Sequence, residues 1–128
     1  MQATAEAQAT QEAEDEGSEW RSASALLRGA ASLIKANGWQ QGAAHAVPQD
    51  CIATALEKAF RADPSFTLVD LEYAKAALNQ SIGTATALEA PIYWGAAYMD
   101  WNDAPERDVG EVLSAFNDAE SRCLAAAP

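Results

Sequence analysis

Four stretches of the chain carry apolar residues at every third or fourth position, the spacing that places them on one face of an α-helix. These stretches predict helices over about residues 18–36, 51–62, 67–82 and 108–125. All four contain several alanines, which favour helix formation and allow close contact between neighbouring helices. We therefore predict helices that each bury one apolar stripe against the others.

The stripes also predict which side chains form the core, because burial of apolar surface is the main favourable term in folding. In the first two helices the predicted core residues are Trp20, Ala23, Leu26, Leu27, Ala30, Ala31, Leu33 and Ile34, followed by Ile52, Leu56, Ala59 and Phe60. In the last two helices they are Leu68, Leu71, Ala74, Leu78 and Ile82, followed by Val109, Val112, Leu113, Phe116, Ala119 and Cys123.

Residues at the predicted helix ends match the preferences of helix caps. Asn37 and Gly38 tolerate the left-handed conformation that ends many helices. Asp50 precedes the second helix and is its predicted N-cap. Asp108 and Glu111 have the spacing of a capping box, which predicts that the last helix begins directly after Asp108.

Residues 84–100 form the most aromatic and least periodic part of the chain. Pro91 fits the first turn of a short helix over about 92–100, where a missing N–H group costs nothing. A β-strand is the alternative, but the sequence contains no second β-rich segment to pair with it. The predicted fold class is therefore all-α, a small helical bundle of four main helices plus a short helix.

The first 17 residues differ in composition from the rest of the chain. They are rich in Ala, Gln, Thr and acidic residues and contain no large apolar residue after Met1. Such a segment buries too little surface to offset the entropy of ordering. We therefore predict a disordered acidic tail over 1–17 and one helical bundle domain over 18–128, in agreement with the length of 128 residues.

The formal net charge of −11 limits the classes of partner. Nucleic acids and anionic membranes bind cationic surfaces, so neither is an expected partner. No stretch approaches the roughly 20 apolar residues of a bilayer-spanning helix. The N-terminus lacks the basic and apolar regions of a signal peptide, so we expect a cytoplasmic protein.

The cysteines and the single histidine bear on metal binding. Cys51 and Cys123 fit a reducing compartment as free, partly buried thiols, with a disulfide between them as the alternative. The two cysteines lack the spacing of a structural zinc site, and His45 is the only histidine. No glycine-rich loop is present to cradle a phosphate. We therefore predict no metal site and no cofactor.

The sequence WNDAPER at 101–107 is echoed by FNDAESR at 116–122. A duplicated site does not follow, because Pro105 disfavours helix at the residue before it, whereas the second copy lies inside a helical stripe. Residues 100–111 also partly match a calcium-binding loop of the EF-hand type. The glycine that this loop requires is replaced by Pro105, which argues against a calcium site.

The first copy is instead predicted to be a turn between two helices. Trp101 anchors it on the bundle, and Asn102 and Asp103 close an Asx-type turn onto backbone N–H groups. Arg107 is expected to pair with Asp103 or Asp100. The alternative is that these polar groups form a ligand or partner site beside an aromatic wall.

Three segments, NGWQQG at 37–42, CIATAL at 51–56 and WNDAPERDVGEVLSAF at 101–116, resemble in their order a family of small actinobacterial and phage proteins of unknown function. The most specific part of the resemblance is the late WND-x-P-x-R-x-x-x-E-V motif. The resemblance covers about residues 22–120. Asp108 stands where the family pattern has Thr, and either residue can cap a helix. The resemblance implies an origin and a fold but no activity.

Three residues are weak candidates for catalysis, namely His45, Asp103 and Arg107. Histidine suits a general base at neutral pH, but the acid closest to His45 in sequence is Asp50. Cys51 at a helix start offers a nucleophile that His45 could activate, although the loop between them imposes no geometry. The alternative for His45 is an exposed or capping side chain, and the sequence leaves open whether the protein is an enzyme.

The aromatic stretch near residue 100 offers more apolar surface than a short helix buries easily, which predicts a groove or a dimer face. The predicted binding residues are Tyr93, Trp94, Tyr98, Trp101, Asn102, Asp103 and Arg107. The first hypothesis is a small non-enzymatic interaction protein that docks a protein or peptide partner, or a second copy as a homodimer, through residues 91–101. The alternative is a small cofactor-free helical enzyme or helper that acts on a peptide or natural-product intermediate in the same groove.

Overall fold

The computed structural model describes residues 5–41, 51–83 and 101–127, with side chains from Ser18 onward. Among these residues there are four helices and no β-strand, which confirms the predicted all-α bundle. The helices are α1, Ala5–Asn37; α2, Ile52–Ala62; α3, Leu68–Ser81; and α4, Val109–Ala126. The short helix predicted over 92–100 lies outside the described residues.

The start of α1 differs from the prediction. The helix begins at Ala5 and not near residue 18, so it includes most of the segment whose composition predicts disorder. That segment is rich in Ala, Glu and Gln, which are strong helix formers even where no core is available. The division of the chain into an acidic tail over 1–17 and a bundle domain over 18–128 stays a prediction.

The core lies around α1, which packs against each of the other three helices, while α4 also packs against α3. Small residues make these contacts close. A Cβ atom added at Gly29 of α1 would lie 3.5 Å from the Cβ atom of Ala59 on α2. Larger side chains fill the centre, where Trp20 of α1 is tilted against Tyr73 of α3 with 4.4 Å between ring centroids. Phe116 of α4 is 1% exposed, as its place on the apolar stripe predicts.

The prediction of burial is wrong for two residues, and each of them is the first residue of its helix. Leu68 is 69% exposed and Val109 is 43% exposed. Each is the first residue of its helix, directly after the N-cap residues Thr67 and Asp108. Both residues fit the helical period of their stripe, so at the first position of these two helices the period alone does not predict burial.

All three helices whose starts carry described caps use a capping box. Asp108 and Glu111 form the predicted box at α4, and Thr67 and Asp70 form another at α3. At α2 the predicted cap Asp50 is wrong, because Cys51 is the N-cap and its sulfur accepts a bond from the Thr54 N–H group. Cysteine is a rare cap, so the preference for aspartate placed the boundary one residue too early.

The chain turns at the end of α1. Gly38 has φ of 88°, the left-handed conformation expected after Asn37, and its N–H group donates to the Ile34 carbonyl at 2.8 Å. The chain therefore leaves the helix axis at once, and Trp39 packs in a partly buried position against the core. This turn brings residues 39–41 beside the start of α2 and the turn at 101–104.

Candidate functional site

Asn102 lies at the centre of the motif that the sequence singled out, and its side chain is bonded entirely within the protein. The side chain is buried, with 1% exposure. Its Oδ1 atom accepts from Trp39 Nε1 at 2.6 Å and from the Ile52 backbone N–H group at 3.3 Å. Its Nδ2 atom donates to the Gln40 carbonyl at 3.2 Å and to Asp103 Oδ1 at 3.0 Å. These four bonds use both donors and both acceptor positions of the amide.

The partners also fix which way the amide points. An indole N–H group and a backbone N–H group can only donate, and a backbone carbonyl can only accept. Exchanging the oxygen and nitrogen of Asn102 would therefore put donors against donors. The predicted Asx-type turn is replaced by a longer-range arrangement, in which the amide of Asn102 joins residues 39–40 to the first residue of α2.

Gln41 adds a second link between the same parts of the chain. Its Nε2 atom donates to the carbonyl oxygens of Asn102, at 3.2 Å, and of Ala104. Residues 39–41, Ile52 and residues 101–104 are thus joined by five hydrogen bonds, four of which use an atom of Asn102. We call this arrangement the Asn102 clamp.

Trp101 and Arg107 form the other half of the motif. The guanidinium of Arg107 lies over the Trp101 ring, 3.8 Å from its centroid, which is the geometry of a cation–π contact. Arg107 Nε donates to the Trp101 carbonyl at 2.9 Å, and its Nη1 atom pairs with Glu111 at 2.7 Å. The predicted partners of Arg107 were Asp103 and Asp100; the observed ion pair is with Glu111, on the first turn of α4.

Asp103, the remaining candidate of the motif, is exposed and accepts from the Asn102 side chain. The structure thus brings Trp101, Asn102, Asp103 and Arg107 together, as their closeness in sequence implies. Within this group Asn102 and Arg107 direct their polar atoms at neighbouring protein groups and not at an open cavity. The other predicted site residues, His45, Tyr93, Trp94 and Tyr98, lie outside the described residues.

An open groove of about 640 Å³ runs along α4 beside Trp101. We call it the α4 groove. Its walls are an aromatic ring, small residues and three carboxylates: Ser81, Trp101, Asp108, Gly110, Glu111, Ser114, Ala115 and Asp118. Sequence analysis missed this groove, apart from Trp101, because its residues read as an ordinary solvent-facing helix surface.

The carboxylates of the α4 groove are only partly neutralised. Asp108 and Glu111 form the capping box, and Glu111 also pairs with Arg107. Asp118 accepts from Arg122 Nε at 2.6 Å, and this hydrogen bond is the main reason that the pKa of Asp118 lies below its ordinary value. Three acids therefore face two bases in and around the groove, leaving a net negative charge there.

A second, smaller groove separates α2 from α3 and has a volume of about 350 Å³. We call it the α2–α3 groove. Its floor is apolar and its rim carries both signs of charge: Ala53, Leu56, Phe60 and Leu71 lie below Glu57, Arg61 and Lys75. Arg61 pairs with Glu57 at 2.6 Å, and Lys75 pairs with Glu72 at 3.3 Å, so the rim has little net charge.

The two cysteines are free and buried. Cys51 uses its sulfur as the N-cap of α2 and contacts the Thr54 hydroxyl at 3.4 Å. Burial of Cys123 raises the pKa of its thiol to about 12, with a smaller contribution from the charge of Glu120. A thiol held neutral in this way is a poor nucleophile, because the thiolate is the reactive form.

The part of the chain that the structure describes also bears on metal binding and membrane insertion. Within residues 5–41, 51–83 and 101–127 no group of three His, Cys, Asp or Glu residues is arranged to hold a metal ion. None of the helices in those ranges combines the length and apolar character that crossing a bilayer requires.

The Asn102 clamp connects residues of two sequence motifs, NGWQQG and WNDAPER. Trp39 and Gln41 were not among the predicted site residues, although the NGW segment was noted as part of a family pattern. Their signal was present in the sequence as two short motifs, and only the fold shows that the motifs contact each other.

Comparison with other proteins places the chain in a family. A model described as a family of unknown function, DUF6197, matches residues 18–122. Neither the curated proteins nor the solved structures contain a match to the chain. The match ends within α4, and it includes the complete Asn102 clamp. The chain therefore belongs to the DUF6197 family of unknown function.

Proposed function

We propose that the protein is a small non-enzymatic interaction protein that docks a protein or peptide partner carrying basic side chains. The docking surface is the α4 groove together with the aromatic surface that the sequence predicts around residues 91–101. The observation that carries this proposal is an open groove in which an aromatic ring lies beside exposed carboxylates. Aromatic residues anchor many interfaces, and charged residues around them select the partner.

The charge of the whole chain supports a basic partner. Arg28, Arg61, Lys75, Arg107 and Arg122 form ion pairs with acids of the same chain. The whole chain has 19 acids and eight lysines and arginines, and its formal net charge of −11 attracts cationic surfaces and raises the rate of encounter with them. The α4 groove offers such a partner a concave place to bind.

Among the candidate catalytic residues, the contacts of Arg107 support binding over catalysis. Arg107 is bonded to the Trp101 carbonyl and to Glu111, and the amide of Asn102 has no remaining hydrogen-bonding capacity. An acid–base mechanism needs groups directed at a substrate position. A small cofactor-free enzyme or helper that acts on a peptide or natural-product intermediate is therefore the second hypothesis.

Further parts of the proposal rest on the sequence. We propose a cytoplasmic location, in keeping with two free cysteines. We also propose an origin in actinobacteria or their phages, as the WND-x-P-x-R-x-x-x-E-V motif implies. A second copy of the chain is the alternative occupant of the docking surface.

The test uses two acids with the same side-chain exposure and the same kind of ion pair, placed on different grooves. Asp118 lies in the α4 groove and Glu57 lies on the α2–α3 groove. Each side chain is 49% exposed, and each pairs with an arginine four residues later in its helix. Phage-displayed random peptides are selected on the full chain, and their affinities are measured for the wild type, Asp118→Lys and Glu57→Lys.

We expect the selected peptides to be enriched in lysine and arginine and to bind Asp118→Lys about tenfold more weakly than the wild type, with Glu57→Lys unchanged. Peptides without basic residues would contradict the proposed partner. The reverse order of the two variants would place docking in the α2–α3 groove. A dimer in sedimentation equilibrium that is lost only in Asp118→Lys would identify a second copy as the occupant and overturn the proposal of a basic partner.

A further inference from the structure

We infer that the Asn102 clamp is a conformational device, in which residues 39–41, the start of α2 and residues 101–104 open and close as one unit without unfolding of the bundle. The inference concerns the clamp alone and does not depend on the docking proposal. It rests on how these segments are attached and on which group satisfies the first N–H group of α2.

Side-chain hydrogen bonds join the segments of the clamp to one another, whereas the helices are joined mainly by apolar packing. Residues 38–41 and 103–108 are not helical, so no helical ladder of hydrogen bonds holds them. Five hydrogen bonds connect residues 39–41, Ile52 and residues 101–104, and four of them end on Asn102. Phe116, Leu78 and other core residues take no part in these bonds, whereas Ile52 belongs to the same core and Trp39 packs against it.

Ile52 is the residue through which the clamp is bonded to α2. It is the first residue of that helix, and the first N–H groups of a helix lack acceptors within it. The Cys51 cap accepts from Thr54, while the Ile52 N–H group donates to Asn102 Oδ1. A residue 50 positions away in sequence therefore completes the cap of α2. Loss of Asn102 would leave that buried donor without its acceptor.

The same oxygen atom also accepts from the indole of Trp39. Two N–H groups of different chemical kinds, on different segments, thus depend on one acceptor. If the clamp opens as a unit, one event exposes both groups to solvent. Parts of a protein that open cooperatively below the free energy of global unfolding are a known feature of native proteins.

Hydrogen exchange on the full-length protein, followed by NMR, tests this directly. We expect the protection factors of the Trp39 Nε1–H group and the Ile52 amide to agree within about threefold, and to be at least about tenfold lower than that of the Phe116 amide. Protection factors that differ by more than about tenfold would show that the segments open separately. Equal values that match Phe116 would show that only global unfolding exposes them, and would also overturn the inference.

Two variants sharpen the result, although the wild-type measurement decides the matter even if one of them fails to fold. Asn102→Ala removes the shared acceptor and should lower both protection factors together by more than about tenfold. Asn117→Ala, an exposed asparagine on α4, should leave both unchanged. Loss of protection at only one of the two groups in Asn102→Ala would contradict a shared opening.

Discussion

Trp101–Arg107 and Phe116–Arg122 have nearly the same sequence and opposite structural roles. The two segments share asparagine, aspartate, alanine and arginine at matching positions. Asn102 is buried and fully hydrogen-bonded, whereas Asn117 lies on the surface of α4. Arg107 covers an aromatic ring, whereas Arg122 pairs with Asp118 one helical turn earlier.

The difference between the two segments comes from the position that holds Pro105 in one and Glu120 in the other. Proline lacks an N–H group and disfavours helix at the residue before it, and residues 103–107 of the first segment are not helical. The second segment continues as α4, and Glu120 accepts from Arg28 of α1 at 2.8 Å. Identical residues acquired different roles because their backbones differ.

Substitutions at this position, Glu120→Pro and Pro105→Ala, should show the largest difference in the free energy of unfolding. Glu120→Pro places proline inside α4, where it removes a backbone hydrogen bond and clashes with the preceding turn, at a cost of about 3 kcal/mol or more. The contact with Arg28 is lost as well. Pro105→Ala, in an exposed turn, should cost about 1 kcal/mol or less, chiefly through the unfolded chain. Urea unfolding followed by circular dichroism measures both, and a Glu120→Pro variant as stable as Pro105→Ala would contradict the account.

Alanine substitutions of Asn102 and Asn117 should differ nearly as much in their effect on the free energy of unfolding. Asn102→Ala leaves the Trp39 indole, the Ile52 N–H group and the Gln40 carbonyl without their partner, and we expect a loss of about 2–3 kcal/mol in the free energy of unfolding. Asn117→Ala replaces an exposed helical residue with a better helix former and should change stability by no more than about 0.5 kcal/mol. Similar losses in both variants would show that the network contributes little.

Lysine substitutions of Arg107 and Arg122 should show a smaller difference in the free energy of unfolding. Arg107→Lys keeps the charge but loses the planar group over Trp101 and the Nε–H bond to its carbonyl, so we expect a cost of about 1 kcal/mol. Arg122→Lys retains an exposed ion pair with Asp118 and should cost about 0.3 kcal/mol or less. Chemical denaturation of both variants under the same buffer conditions gives the comparison. Equal costs would mean that the stacked geometry at Trp101 adds nothing.

The smallest predicted effect is a pH dependence at Asp118. Its pKa is lowered in the folded protein, chiefly by the hydrogen bond from Arg122, so the ionised form stabilises the fold above the unfolded-state pKa near 3.8. This contribution is lost as the pH falls through the lower folded-state value. Because the pair is half exposed, we expect only about 0.3–0.5 kcal/mol. The stability difference between the wild type and Asp118→Asn should therefore be constant above about pH 5 and shrink toward pH 3.

A matched variant separates this effect from the general titration of an acidic chain. In an Arg122→Gln background the pH-dependent difference caused by Asp118→Asn should become smaller, since the donor that lowers the pKa of Asp118 most is gone while the hydrogen bond with Ser81 remains. An unchanged pH-dependent difference in that background would assign the effect to another group.

The helices and most of their buried faces could be predicted from local patterns. Residues such as Trp20, Leu27, Leu78 and Phe116 follow the helical period and are buried. Leu68 and Val109 follow the same period and are exposed, because the period describes one helix and not the length over which its neighbours cover it. The cap of α4 was predicted from an aspartate and a glutamate at the usual spacing, whereas the cysteine cap of α2 has no strong sequence signal.

The candidate site could be predicted only in part. The sequence predicted WNDAPER to be a turn with an aromatic anchor. Residues 103–107 are non-helical and Trp101 packs against the core, whereas Trp101 and Asn102 are helical. The role of Asn102 could not be predicted, because its partners Trp39 and Ile52 lie 63 and 50 residues away. Local turn chemistry offers an asparagine many nearby acceptors and donors. Choosing between these and a distant network requires the packing of α1 against α2.

The asparagine amide at position 102 also has an evolutionary consequence. The indole N–H group of Trp39 needs an acceptor when it is partly buried, and Asn102 Oδ1 supplies it. A lineage that replaces Asn102 by an apolar residue would leave the indole donor unsatisfied, whereas phenylalanine at position 39 would remove that need. We therefore expect a one-sided covariation across DUF6197. A sequence that lacks asparagine at position 102 should also lack tryptophan at position 39, whereas a sequence without the tryptophan still needs an acceptor for the Ile52 N–H group.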